Sequence, residues 1–247
     1  MEQSIRIMTS RIERILHDNK PSIFLYGSVV SGDFKFGWSD IDILCLTENV
    51  IHPQQADELI DLRQSLQSEN PENPYFGLFE GGLLTLEAFL HNSEDTVVYW
   101  GTSGQRIRSN YELCSFSKMD LLENGRLLYG NDFRHLITCP TRQEIVEAIK
   151  KHYNVIRQHG ESGGSWLLDI ARCLYTLRTN RVIAKTKAGE WAIEENLCPN
   201  ISVMEKVVEI RKNPLNFNDE ETKHWQSMLS EQIQSFTDVL EAELRTY

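Results

Sequence analysis

An α+β fold is predicted for this chain: a mixed-sheet domain over residues 1–135, then an all-α helical-bundle domain over residues 136–247. Three observations predict it. Short apolar runs bounded by turn residues, at 23–26 and 41–46, occur only in the first half. Beyond about Tyr111 the apolar residues recur at helical spacing instead. And 247 residues, 40% hydrophobic and 9% aromatic, are enough for two cores.

Each element has its own signal. Residues 2–18 are expected to form a helix on Ile5, Ile7, Met8, Ile12, Ile15 and Leu16, and Pro21 ends it. Two strands follow at 23–26 and 41–46. A helix spans 54–68, the ENPENP stretch at 69–74 is a loop, and a third strand is expected at 83–90. Helices follow at 113–122, 165–177, 185–195, 201–211 and 219–245. Another starts at Thr141, where Thr141 and Glu144 fit a capping box after Pro140. GESGG at 160–164 reads as a hinge-like loop. No internal repeat is present.

Composition excludes several classes. No run approaches the roughly 18 apolar residues of a membrane span. The first residues lack the apolar core of a signal peptide, so a cytoplasmic protein is expected. The five cysteines are widely spaced without a CxxC, which argues against a disulfide framework or a thiolate zinc site. The net charge of −11 lacks the basic footprint of a nucleic-acid binder and suits a cationic ligand. A monomer is expected. There is neither an HExxH nor a GxxxxGK[ST] motif.

The chemistry concentrates in FLYGSVVSGDFKFGWSDIDILCL, residues 24–46. Gly27-Ser28 ends the first strand. Glycine permits close backbone approach, and the serine hydroxyl with nearby N–H groups can hold a phosphate. Ser39 is a second phosphate contact. Asp40 and Asp42, two apart on the second strand, point to one face. Two carboxylates so close repel unless a divalent cation lies between them. Mg²⁺ suits them, because it binds one or two carboxylates together with substrate phosphates. A solvated turn cap and a surface strand residue would explain a lone DxD, but Ile41, Ile43, Leu44 and Leu46 make this strand a buried one. Metal-assisted nucleotidyl or phosphoryl transfer follows.

Gly27-Ser28, Gly32 and Ser39-Asp40-Ile41-Asp42 resemble the GS…[ST]DxD signature of the nucleotidyltransferase superfamily, whose members share the DNA polymerase β-like fold. Residues 86–89 and 96–100 resemble the third-strand region of the aminoglycoside adenylyltransferases that modify streptomycin and spectinomycin. Residues 166–172, 183–185 and 188–192 resemble their helical C-terminal domain. The resemblance implies that Glu87 is the catalytic base and that Lys185, ahead of Lys187 in an alternative register, contacts the nucleotide phosphates. It also implies an acid near the start of the 113–122 helix that meets nucleotide or drug, and Glu112 is the nearest one. The chain departs from the family in following the glutamate with Ala88-Phe89.

Residue chemistry leaves alternatives open. A third carboxylate on a neighbouring strand could ligate metal or take a proton, and both Glu87 and Glu80 are placed to supply it, with Glu87 preferred. Taken alone, Lys185 reads as a solvated lysine at a helix start. Trp100 and Trp166 are core residues by type and candidates for the acceptor side of a cleft. The expected activity is transfer of AMP from ATP, with Mg²⁺, to a hydroxyl of a small cationic acceptor of the aminoglycoside type, conferring antibiotic resistance. The alternative is a nucleotidyltransferase-fold partner, of the antitoxin type, that acts on a protein.

Overall fold

The computed structural model describes residues 1–101, 104–160 and 163–247, so part of the GESGG loop lies outside the described residues. The fold is α+β. The chain forms two compact units. One comprises Met1–Gly32, Asp40–Leu113 and Asp120–Cys139; the other comprises Asp33–Ser39, Cys114–Met119 and Pro140–Tyr247.

The first unit is built on a six-stranded mixed sheet among the described residues. In chain order its elements are α1 (Glu2–Ile15), β1 (Pro21–Tyr26), β2 (Ile41–Thr47), α2 (Pro53–Glu69), β3 (Phe79–Thr85), α3 (Leu86–His91), β4 (Val97–Gly101) and β5 (Gly104–Arg108). Then come α4 (Ser115–Asn124), which passes from the second unit into the first, and β6 (Arg126–Tyr129). The strand order is β5-β4-β3-β2-β1-β6, with β2 and β3 parallel and the other pairs antiparallel.

The third strand differs from expectation. It covers Phe79–Thr85 rather than 83–90, and the chain then turns into α3. The apolar run at 83–90 is compatible with either period. Thr85 decides it locally: its hydroxyl caps α3 by accepting the Ala88 N–H at 3.1 Å, and Asp95 accepts the Thr85 N–H at 2.7 Å. The start of the strand is hidden by Gly81-Gly82, since glycine is a poor strand former. Gly81 is required there. Its φ is +143°, and a Cβ would stand 1.7 Å from the Ile43 carbonyl oxygen of β2.

One face of the sheet carries Phe24, Leu44, Leu46, Leu84 and Val97 under Leu113, Leu121 and Ala88. The other face meets α2. There the Trp100 indole N–H donates to the Leu59 carbonyl at 3.0 Å, and the Arg63 guanidinium donates to the carbonyls of Phe79 at 2.8 Å and Gly101 at 3.2 Å. Both β5 and β6 escape the sequence reading, because strands of five and four residues, half-exposed and carrying arginines, lack an apolar alternation.

The second unit is helical: α5 (Arg142–His159), α6 (Ser165–Thr179), α7 (Lys185–Glu194), α8 (Ile201–Lys212), α9 (Glu220–Ser227) and α10 (Ser230–Leu244). Thr141 and Glu144 form the expected capping box on α5. The single helix expected at 219–245 is instead two, broken at Met228-Leu229. Ile149, Leu168, Leu174, Ile233, Phe236 and Leu240 are fully or nearly fully buried in its core. No helix among the described residues is long and apolar enough to cross a membrane.

Within this unit the Asp33–Ser39 segment is anchored through Asp33. The Asp33 carboxylate accepts from the Thr186 N–H at 3.2 Å, the Thr186 hydroxyl at 2.5 Å and Arg211 Nη2 at 3.0 Å. Both charged side chains are buried, with 8% and 3% exposure. Deleting one partner strands the other charge. Asp33→Ala is therefore expected to destabilise the protein by about 3 kcal/mol or more. Urea denaturation tests this, and a loss under about 1 kcal/mol would mean that the pair is solvated.

Candidate active site

The chain leaves β1 through a turn rather than a helix. Gly27 has φ +75°, and its carbonyl accepts the Ser31 N–H at 3.1 Å. The Gly27 N–H donates to Asp120 Oδ2 at 2.6 Å, and Asp120 Oδ1 accepts from Asn124 at 2.9 Å. The Ser28 hydroxyl donates to the Asp40 carbonyl at 3.4 Å. The loop after β1 is thus tied to the start of β2 and to α4.

Asp42 is the register partner of Tyr26 on β1 and of Glu80 on β3. Register partners on neighbouring strands share a face, so Asp42 and Glu80 point to the same side of the sheet; Asp40 immediately precedes β2 and lies outside it. The Asp42 carboxylate lies directly against Gly27, where a Cβ would stand 2.1 Å from Asp42 Oδ2. Gly27→Ala would combine that clash with a left-handed φ. It is expected to cost about 1–3 kcal/mol in stability and to displace Asp42, abolishing most activity. Denaturation and turnover of the purified variant check both, and wild-type turnover would show that Asp42 tolerates the shift.

Glu80 Oε1 is buried and has no hydrogen-bond partner among the described residues. An orphaned carboxylate oxygen beside a second carboxylate is costly unless a cation or a proton donor occupies the site in use. Arg63 lies near enough for Glu80 and Asp40 to favour its charge, although burial, the larger effect, lowers the guanidinium pKa. Among the described residues no group of three or more His, Cys, Asp and Glu side chains could hold a metal ion by itself. Mg²⁺ does not require one, since it retains waters and substrate phosphates. The hard oxygens of Asp40 and Asp42 fit that partial role.

Other sequence candidates fall elsewhere. Glu87 is not on a strand: it occupies the first turn of α3, its side chain is 82% exposed, and its carboxylate is 3.5 Å from His91 Nε2. The helix cap at Thr85 turns it away from the position expected of it, which Glu80 takes. Trp100 is fully buried on the opposite face from the carboxylates, bonded to α2, and is a core residue rather than an acceptor contact. Glu112 is exposed, next to Tyr111.

Ser39 and Lys185 belong to the second unit. The Ser39 hydroxyl accepts the Lys35 N–H at 3.0 Å. Lys185 opens α7 with its ammonium 2.9 Å from Asp169 Oδ2, and Arg172 lies 3.2 Å from Asp169 Oδ1. Burial alone would push the Asp169 carboxyl up, but Lys185, Arg172 and His152 outweigh it and hold the group below the usual carboxylate range. Trp166 is half-buried on α6, its ring 6.1 Å from that of His152. Burial keeps the His152 imidazole below its ordinary pKa, against the pull of Asp169.

Asp120 escaped the sequence reading. Its signal was present: like Asp40 and Asp42, it is an acid among apolar neighbours, Met119, Leu121 and Leu122.

Residues 9–77 match the model of the nucleotidyltransferase domain, and residues 136–243 match that of the aminoglycoside adenylyltransferase C-terminal domain. Among solved structures, the chain resembles the spectinomycin adenyltransferase AAD(9) from Enterococcus faecialis, solved with ATP and spectinomycin. The TM-score is 0.67 at 17% identity, covering 98% of this chain and 99% of that one. No match was found among curated proteins.

Proposed function

We propose that this chain, a nucleotidyltransferase resembling the aminoglycoside adenylyltransferases, transfers AMP from ATP to a hydroxyl of a small aminoglycoside-type acceptor and releases pyrophosphate. One observation carries the reading. Asp42 and Glu80 are side by side on adjacent strands, on the face that meets the Gly27-Ser28 turn.

In this reading Gly27 and Ser28 hold the phosphates. Asp40 and Asp42 would hold Mg²⁺, which supplies Lewis acidity at the α-phosphate when bound. Glu80, with its unsatisfied Oε1, takes the proton of the acceptor hydroxyl. The acceptor oxygen then bonds to the α-phosphorus as the bond to pyrophosphate breaks. Asp120 holds the Gly27 backbone and so positions the phosphate turn.

The test is incubation with Mg²⁺ and spectinomycin or streptomycin, using each of the four nucleoside triphosphates in turn. Pyrophosphate release with an acceptor heavier by one AMP is the expected result with ATP. No transfer to any aminoglycoside, with label appearing on a co-purifying protein, would overturn it.

A further inference from the structure

We infer that Arg211 is a positioning residue for the carboxylate pair, acting on Asp40 through the segment Asp33–Ser39. This rests on the transferase reading above and adds to it a residue far along the chain from β1 and β2. Gly32 before the segment and Asp40 after it belong to the sheet unit, whereas the segment itself belongs to the helical one. Asp40 follows Ser39 directly, so what holds Ser39 sets where the backbone of Asp40 begins.

Arg211, on α8, holds the segment at both ends. At the first end its Nη2 donates to Asp33 Oδ2 at 3.0 Å and to the Asp33 carbonyl at 3.4 Å. At the second its guanidinium carbon stands 5.7 Å from the centre of the Trp38 ring, within cation–π range. Between the two ends the chain closes on itself. The Lys35 carbonyl accepts the Trp38 N–H at 3.0 Å and the Ser39 N–H at 2.8 Å, and the Lys35 N–H donates to the Ser39 hydroxyl at 3.0 Å. Beyond Ser39, the Asp40 carbonyl accepts from the Ser28 hydroxyl at 3.4 Å. Asp40 is thus held between the clamped segment and the turn after β1.

Stability alone accounts poorly for the buried pair of Arg211 and Asp33. A buried ion pair recovers little beyond its desolvation cost, and apolar residues of similar volume often serve as well or better. The cost is higher here, because Arg211 Nε is buried with no hydrogen-bond partner among the described residues. What a charged, directional contact supplies and apolar packing does not is one fixed arrangement. Carboxylates that hold a metal need that, with placement to within about 0.5 Å.

Removing both charges together leaves neither stranded. In Asp33→Asn/Arg211→Met the amide still accepts from Thr186, so the first end stays attached while the Trp38 end is released. Leu240→Ala, in the core of the same unit, controls for lost stability with the clamp intact. Hydrogen exchange at the Trp38 and Ser39 N–H groups reads the segment. Calorimetric binding of Mn²⁺ with a non-hydrolysable ATP analogue reads the carboxylate pair without turnover. The double variant should exchange about tenfold faster at both groups and bind the Mn²⁺–nucleotide about tenfold more weakly, with the control binding like wild type. Unchanged exchange, faster exchange with wild-type affinity, or equal weakening in the control overturns the inference. Arg211→Lys makes the same test should the double variant fail to fold, since it keeps a charge for Asp33 but loses the flat contact with Trp38. Absence of Mn²⁺–nucleotide binding by the wild type counts against the transferase reading itself, and the inference falls with it.

Discussion

Asp42→Asn is expected to lower kcat/KM for AMP transfer on the order of 10³-fold, because in the proposed mechanism it removes one of two anionic oxygen donors from the metal-assisted step. The substitution is nearly isosteric. Asp42 packs against Gly27 and faces Tyr26 and Glu80 across the sheet, so the amide keeps the shape of the site while losing its charge. The melting temperature should stay near that of wild type or rise, since a like-charge contact with Glu80 is relieved. Asp40→Asn should behave alike in rate. Steady-state pyrophosphate release and a thermal melt on the same preparations decide it. A loss below tenfold with an intact fold would remove Asp42 from the site.

The second large effect separates two glutamates seven residues apart. Glu80→Gln is expected to lower kcat by about 10²–10⁴-fold, the usual contribution of a positioned general base. Glu87→Gln should leave kcat unchanged, because that side chain is 82% exposed on α3 and its neighbour is His91. The opposite pattern would return the role to Glu87 and require the chain after Thr85 to rearrange. The contrast is sharp because both residues follow an apolar residue and lie in the same stretch of sequence, yet only one is on the sheet.

The mixed sheet, the helical second half and the phosphate-and-carboxylate stretch were legible in the sequence because each rests on local rules. Apolar runs set the strands, helical spacing and the Thr141 capping box set the helices, and the DxD spacing puts Asp42 on β2 with Asp40 immediately before it. What failed needed a neighbouring strand. The span of β3 is set by the pairing of Gly81-Gly82 with Ile43-Leu44, and glycines carry no apolar signal to announce it. Without that register Glu87 looked more suitable than Glu80. Trp100 and Tyr99 are adjacent in sequence but point to opposite faces, one into α2 and the other beneath two arginines. Asp33 and Asp120 likewise acquired roles only from partners far along the chain, Arg211 and Gly27.

The sequence by itself determined that two acids stand at a buried strand after a Gly-Ser turn, since spacing along one segment is local. Tertiary structure decided that Glu80, and not Glu87, is the register partner of Asp42. Strand register, unlike spacing along one strand, is a property of two segments whose hydrogen bonds and packing form only together.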